Sequence, residues 1–157
     1  MISFSKEATQ RVAVDSRQII TFESGLIGLP QLKVFALIED ELSLPIRLLQ
    51  CVSVPEFVFV VINPFAIHPS YDIEISDEDA AELGIKSAAD VLVLAIVTVP
   101  EDLRFVTANL LSPLVINMKS KRGKQILLTD TDYPINYRIL KDAPIEGRKQ
   151  PSLELAS

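Results

Sequence analysis

The sequence predicts a mainly β domain, an antiparallel β-barrel or barrel-like sandwich with one short helix. Eight or nine short runs, apolar or alternating, are separated by turn residues at frequent intervals. Only one stretch carries a clear helix signal, Ser76 followed by Asp77, Glu78 and Asp79. The chain has no internal repeat and no low-complexity tract.

The elements follow in order. Residues 1–10 are polar and are expected to be mobile until they pair with something, and residues 11–14 could form a short strand. Residues 18–22 are β-branched and aromatic and read as a strand. Gly25, Gly28 and Pro30 then mark an irregular loop. Residues 32–38 resume as a strand that is apolar on both faces, which predicts burial on both sides. Residues 46–52 and 57–62 are further strands, the second ended by Asn63-Pro64, because proline cannot extend a central ladder. His68-Pro69-Ser70 is loop, and residues 71–75 alternate as a short strand.

Ser76 caps a helix that Gly84 stops. Residues 87–90 allow one more helical turn. Residues 91–99 are too β-branched and continuous for an exposed helix and read as a buried central strand. Residues 103–109 are expected as the next strand.

A hairpin over residues 109–129 organises the rest. Leu114, Ile116 and Met118 alternate with Val115, Asn117 and Lys119 on the first arm, and Ile126 and Leu128 alternate with Gln125, Leu127 and Thr129 on the second. Ser120-Lys121-Arg122-Gly123 forms the tip, with Gly123 expected to supply a positive φ. Pro113 suits a strand start or an edge. The domain is expected to end near residue 140, leaving 141–157 as a loose tail.

The 157 residues suit one domain with a sizeable core, and 48% of them are hydrophobic. The single cysteine, Cys51, excludes an internal disulfide and reads as a buried thiol. No basic segment followed by an apolar one opens the chain, and the longest apolar run, 91–97, is about a third of a membrane span. A cytoplasmic protein is expected. The net charge of −6 is uneven: residues 39–102 hold thirteen acidic and two basic residues, and residues 117–125 hold four basic and none acidic. An acidic body disfavours direct binding to nucleic acid and suits a basic protein partner. Lys119, Lys121, Arg122 and Lys124 have no aromatic residues among them to stack bases, so a solvated tip is expected there.

Motifs for chemistry are sparse. His68 is the only histidine and has no neighbour at metal-ligand spacing. No nucleophile elbow or phosphate loop follows from the glycines. No catalytic, cofactor or metal site is expected, and the chain is not read as an enzyme.

Several segments together resemble one family. Thr21-Phe22-Glu23-Ser24-Gly25-Leu26-Ile27-Gly28-Leu29 followed by Phe35, then Leu49-Gln50, the strand ending in Asn63-Pro64, and the Tyr71 segment are similar to the bacterial flagellar assembly factor FliW family. So is Thr107-Ala108-Asn109-Leu110-Leu111-Ser112-Pro113-Leu114-Val115-Ile116-Asn117 with Gly123-Lys124-Gln125. Leu29 departs from the pattern, which often has an aromatic residue there. The resemblance implies a monomeric partner-switching regulator that binds newly made flagellin. When free of flagellin, such a protein binds and antagonises CsrA, a small basic repressor of flagellin mRNA translation. No direct nucleic-acid or membrane partner is implied. The alternatives are a small-molecule-binding β-barrel, marked by a polar internal pocket, and a generic interaction module. The candidate partner-binding residues are Leu110, Leu111, Pro113 and Asn117, on an apolar lead-in and strand that could be an edge, and Asp77, Glu78 and Asp79 at the helix start.

Overall fold

The structure, a computed structural model, describes residues 2–5 and 17–140. The expected strand at 11–14 and the tail at 141–157 lie outside the described residues. The strands are β1 (Ile2–Ser5), β2 (Arg17–Phe22), β3 (Val34–Glu39), β4 (Ile46–Cys51), β5 (Val58–Ile62), β6 (Asp72–Ile75), β7 (Val91–Thr98), β8 (Thr107–Ala108), β9 (Leu114–Asn117), β10 (Arg122–Gln125) and β11 (Tyr137–Arg138). The two helices are α1 (Pro64–Ile67) and α2 (Asp77–Leu83), and single 3-10 turns lie at 41–43, 88–90 and 103–105.

Strands β7, β5, β4, β3, β2, β10 and β9 hydrogen-bond in that order, and β9 pairs back onto β7, so seven strands form a closed barrel. Every pair is antiparallel except β10 with β2, which is parallel over Arg122–Thr21 and Gly123–Phe22. This closure depends on Gly123. A Cβ there would stand 2.8 Å from the Phe22 ring and 3.1 Å from Ile116. Gly123 therefore serves close backbone approach in a strand. The positive φ of the hairpin tip falls instead on Lys121, at +60°. The second arm accordingly runs over 122–125 and not over the more apolar residues beyond.

The barrel interior follows from alternation. Ile20 and Phe22, Phe35 and Leu37, Leu49 and Cys51, Leu92 and Leu94, and Leu114 and Ile116 point inward and are buried. Phe22 and Phe35 meet edge to face with centroids 5.5 Å apart.

One side of the barrel exterior carries a second layer. Val91, Val93 and Ala95 of β7 and Val115 of β9 are covered by Phe4 of β1, Ile73 and Ile75 of β6, Phe65 of α1, Ala80 and Leu83 of α2, and Ile126 and Leu128. β7 is thus buried on both faces, which explains its unbroken apolar run. β6 belongs to this layer and, among the described residues, pairs with β1 alone, outside the barrel. Asn63 caps α1 by accepting from Phe65 N at 2.9 Å, with Pro64 in its first turn, where a missing N–H costs nothing. Ser76 Oγ accepts from Asp79 N at 3.0 Å, and Gly84 ends α2 at φ +68°. The strand expected over 103–109 is a 3-10 turn at Leu103–Phe105 followed by the two-residue β8.

Tyr71 ties the layers together. Its buried hydroxyl donates to the Leu110 carbonyl at 2.7 Å, and burial, with Tyr133 nearby, raises its pKa above the usual phenol value. Lys124 is likewise raised, first by its hydrogen bond to Asp79 and then by that to Glu82. Both groups hold their proton more tightly folded than unfolded. The stability they confer is complete below about pH 10, their ordinary range, and is lost as pH rises above it. Urea midpoints measured from pH 8 to 12 should stay level and then fall, and Tyr71→Phe should reduce the fall.

Candidate protein-docking surface

The residues expected at a partner site separate into three places. Leu110 is fully buried in the second layer, Leu111 packs half-buried against it, and Pro113 is buried. β9 is no edge, because it pairs with β10 on one side and β7 on the other. A lead-in used by its unpaired backbone is therefore corrected: closure of the barrel removes that edge.

Asn117 is buried at 2% exposure and works inside the fold. Its Nδ2 donates to the Leu83 carbonyl at 2.9 Å, and its Oδ1 accepts from Lys119 N at 2.9 Å. It satisfies an orphan carbonyl at the C-terminus of α2 and shapes the hairpin tip at once. Asn117→Asp removes the donor and sets a carboxylate against that carbonyl. The expected loss is about 1–3 kcal/mol, read from urea denaturation; an unchanged midpoint would contradict the role.

Glu78 is exposed on α2, as is Asp77, while Asp79 is half-buried and engaged. Lys124 Nζ lies 2.7 Å from Asp79 and 3.0 Å from Glu82. Lys124 is thus held against the acidic helix and does not stand in solvent with the rest of the tip. Lys121 Nζ donates to the Met118 carbonyl at 2.7 Å, and Arg122 lies against Gly84. Lys119 alone reaches well into solvent, 4.0 Å from Asp90.

An exposed apolar face lies elsewhere. Strands β2 to β5 present an outer face on which Ile19–Ala36–Gln50–Val58 and Arg17–Ile38–Leu48–Val60 form adjacent rows by strand register. Ile19, Ile46, Leu48 and Val58 are 45%, 41%, 39% and 44% exposed. A hollow of about 110 Å³ opens on this face, lined by Arg17, Ala36, Gln50, Cys51, Val52 and Pro55. Strand β3 was expected to be buried on both faces; Phe35 and Leu37 are, but Val34 and Ile38 remain half-exposed. The apolar alternation was visible in the sequence. That one face would stay uncovered was not, since an apolar residue reads the same whether its cover is supplied by this chain or by another.

A cleft of about 250 Å³ also lies outside the barrel, lined by Asp72, Glu74, Leu128, Asp130 and Tyr133 among others. The polar pocket expected of a small-molecule barrel would be internal, whereas the interior is filled by aliphatic and aromatic side chains. His68 sits against the rings of Tyr71, Tyr133 and Tyr137, with centroids 5.3–6.2 Å away. Among the described residues no group of three or more His, Cys, Asp or Glu side chains is placed to hold a metal ion, and no helix is long and apolar enough to cross a membrane.

Fold and surface define a class: a small closed β-barrel, apolar inside, with a broad aliphatic face on its exterior. The sequence model for the FliW protein matches residues 3–139, and the chain belongs to the FliW family of flagellar assembly factors. It is 39% identical over 129 residues to the flagellar assembly factor FliW of Caldicellulosiruptor saccharolyticus, covering 82% of this chain and 84% of that one. To the FliW of Clostridium botulinum it is 32% identical over 139 residues, covering 88% and 99%. Its fold is similar to a crystal structure of the flagellar assembly factor FliW, with a TM-score of 0.75 at 35% identity, covering 86% of this chain and 96% of that one.

Proposed function

We propose that this chain is a cytoplasmic partner-switching regulator of flagellin synthesis. It binds flagellin while flagellin accumulates. Once flagellin is exported, the freed protein captures the repressor CsrA and relieves repression of flagellin mRNA translation. Membership of a family of flagellar assembly factors supports the flagellar role. The observation that carries the binding reading is the exposed aliphatic face of β2 to β5. Ile19, Ile46, Leu48 and Val58 stand exposed on that face, and large exposed apolar patches commonly mark sites of protein interaction. The acid-rich stretch from Glu39 to Asp102 suits a repressor that must be basic to hold RNA.

Binding alone suffices for such a switch, and the relative affinities and abundance of the two partners set its direction. The test is gel filtration of the purified chain with flagellin and, separately, with CsrA. Each mixture is expected to give a faster-eluting complex. If both partners elute as they do alone, the reading fails.

A further inference from the structure

We propose that the barrel opens as two halves, with the junction of β5 and β7 as the hinge and the seam between β2 and β10 as the mouth. Such a motion is a property of the barrel alone and does not depend on the partners the chain binds.

The halves follow from the strand pairing. β2, β3, β4 and β5 form one run, in which each neighbouring pair matches over five residue pairs. β10, β9 and β7 form the other, with four residue pairs at each junction. The two junctions between the halves are the shortest in the barrel. Three residue pairs join β5 to β7, and two join β2 to β10.

Packing decides which junction is the hinge. β5 brings buried Val61 and Ile62 to its side, and β7 brings buried Ala95. Phe65, in α1 directly after β5, lies with Ile62 in the layer that covers β7, so the chain itself ties that side. The other side has no such tie. β2 is the first barrel strand of the described chain and β10 the last. Of Arg122, Gly123, Lys124 and Gln125, Gly123 alone is buried, so β10 brings no large apolar side chain to the seam.

Two hydrogen bonds close the mouth. Thr21 N donates to the Lys121 carbonyl at 2.9 Å, and Ile27 N donates to Gln125 Oε1 at 2.9 Å. Gln125 Nε2 donates in turn to the Ser112 carbonyl at 3.1 Å. Gln125 thus latches the glycine loop of one half to the lead-in of the other. Opening here breaks both bonds that cross the seam and exposes Phe22 and Ile116, which are fully buried when it is shut. It also frees the edges of β2 and β10, which a closed barrel hides.

The test is native-state hydrogen exchange on the full chain, amide by amide, in urea below the unfolding transition. After correction for intrinsic rates, the Thr21 amide is expected to exchange at least tenfold faster than the slowest amides, and faster than amides bonded between β5 and β7. Its rate should rise with urea, because opening exposes surface, but less steeply than that of the slowest amides. Gln125→Leu removes the latch. It should speed Thr21 and the slowest amides by the same factor, since the bond is lost on opening and on unfolding alike. Ser76→Ala removes the cap of α2, which stays folded in the open form. It should speed the slowest amides and leave Thr21 unchanged. A Thr21 rate and urea slope equal to those of the slowest amides would mean that the barrel opens only by unfolding. A rate flat in urea would mean local fraying. Either result overturns the proposal. So would amides between β5 and β7 that exchange faster than Thr21, a Thr21 rate that Gln125→Leu leaves unchanged, or one that Ser76→Ala raises along with the slowest amides.

Discussion

Gly123→Ala is expected to cost about 1–3 kcal/mol, the range for overpacking a filled core, and to lower the melting temperature by about 2–4 °C for each kcal/mol. The added methyl would meet the Phe22 ring at 2.8 Å and Ile116 at 3.1 Å, and both residues are fully buried in the barrel interior. Neither has solvent to move into. Gly123→Val should do more, because the parallel pairing of β10 with β2 spans only two residue pairs and closes the barrel. Thermal unfolding by circular dichroism reads both variants. An unchanged melting temperature for the alanine form would mean that the closure at β2 and β10 is not the tight contact described.

The second large effect is on association rate. Binding of the chain to CsrA is expected to slow tenfold or more as salt rises from about 50 to 500 mM, because the length over which an acidic partner steers a basic one shrinks from roughly 14 Å to roughly 4 Å across that range. Flagellin capture, if carried by the aliphatic face, should change much less. Stopped-flow association at several ionic strengths distinguishes them, and a repressor rate flat in salt would remove steering from the mechanism. Charge reversal belongs at Glu78, which is exposed, and not at Asp79, whose ion pair with Lys124 joins α2 to the hairpin. Reversing Asp79 would mix a loss of stability into the binding result.

The strands that alternate or run apolar were legible, among them β2, β3, β4, β5, β7 and β9, because burial against one core imposes period two and burial between two cores imposes a continuous apolar run. The helix start at Ser76 and its stop at Gly84 were legible because capping is local chemistry. β10 was not. Arg122-Gly123-Lys124-Gln125 has no large apolar residue, and its strand state is imposed by β2 and β9 on either side. The role of Asn117 was also hidden, since its partner carbonyl belongs to Leu83, 34 residues earlier. Leu110 looked like a candidate for a surface because the sequence does not reveal the second layer that buries it, while Leu111 stays half-buried at the margin of that layer. The face over β2 to β5 is the converse case, apolar like a core strand and left exposed.

Partner switching is tested most directly by competition. The chain is first bound to CsrA, flagellin is then titrated in, and release of CsrA is followed together with its rebinding to flagellin mRNA. Stoichiometric flagellin is expected to displace the repressor and restore its RNA complex. A ternary complex in which CsrA stays bound and RNA stays excluded at saturating flagellin would contradict it.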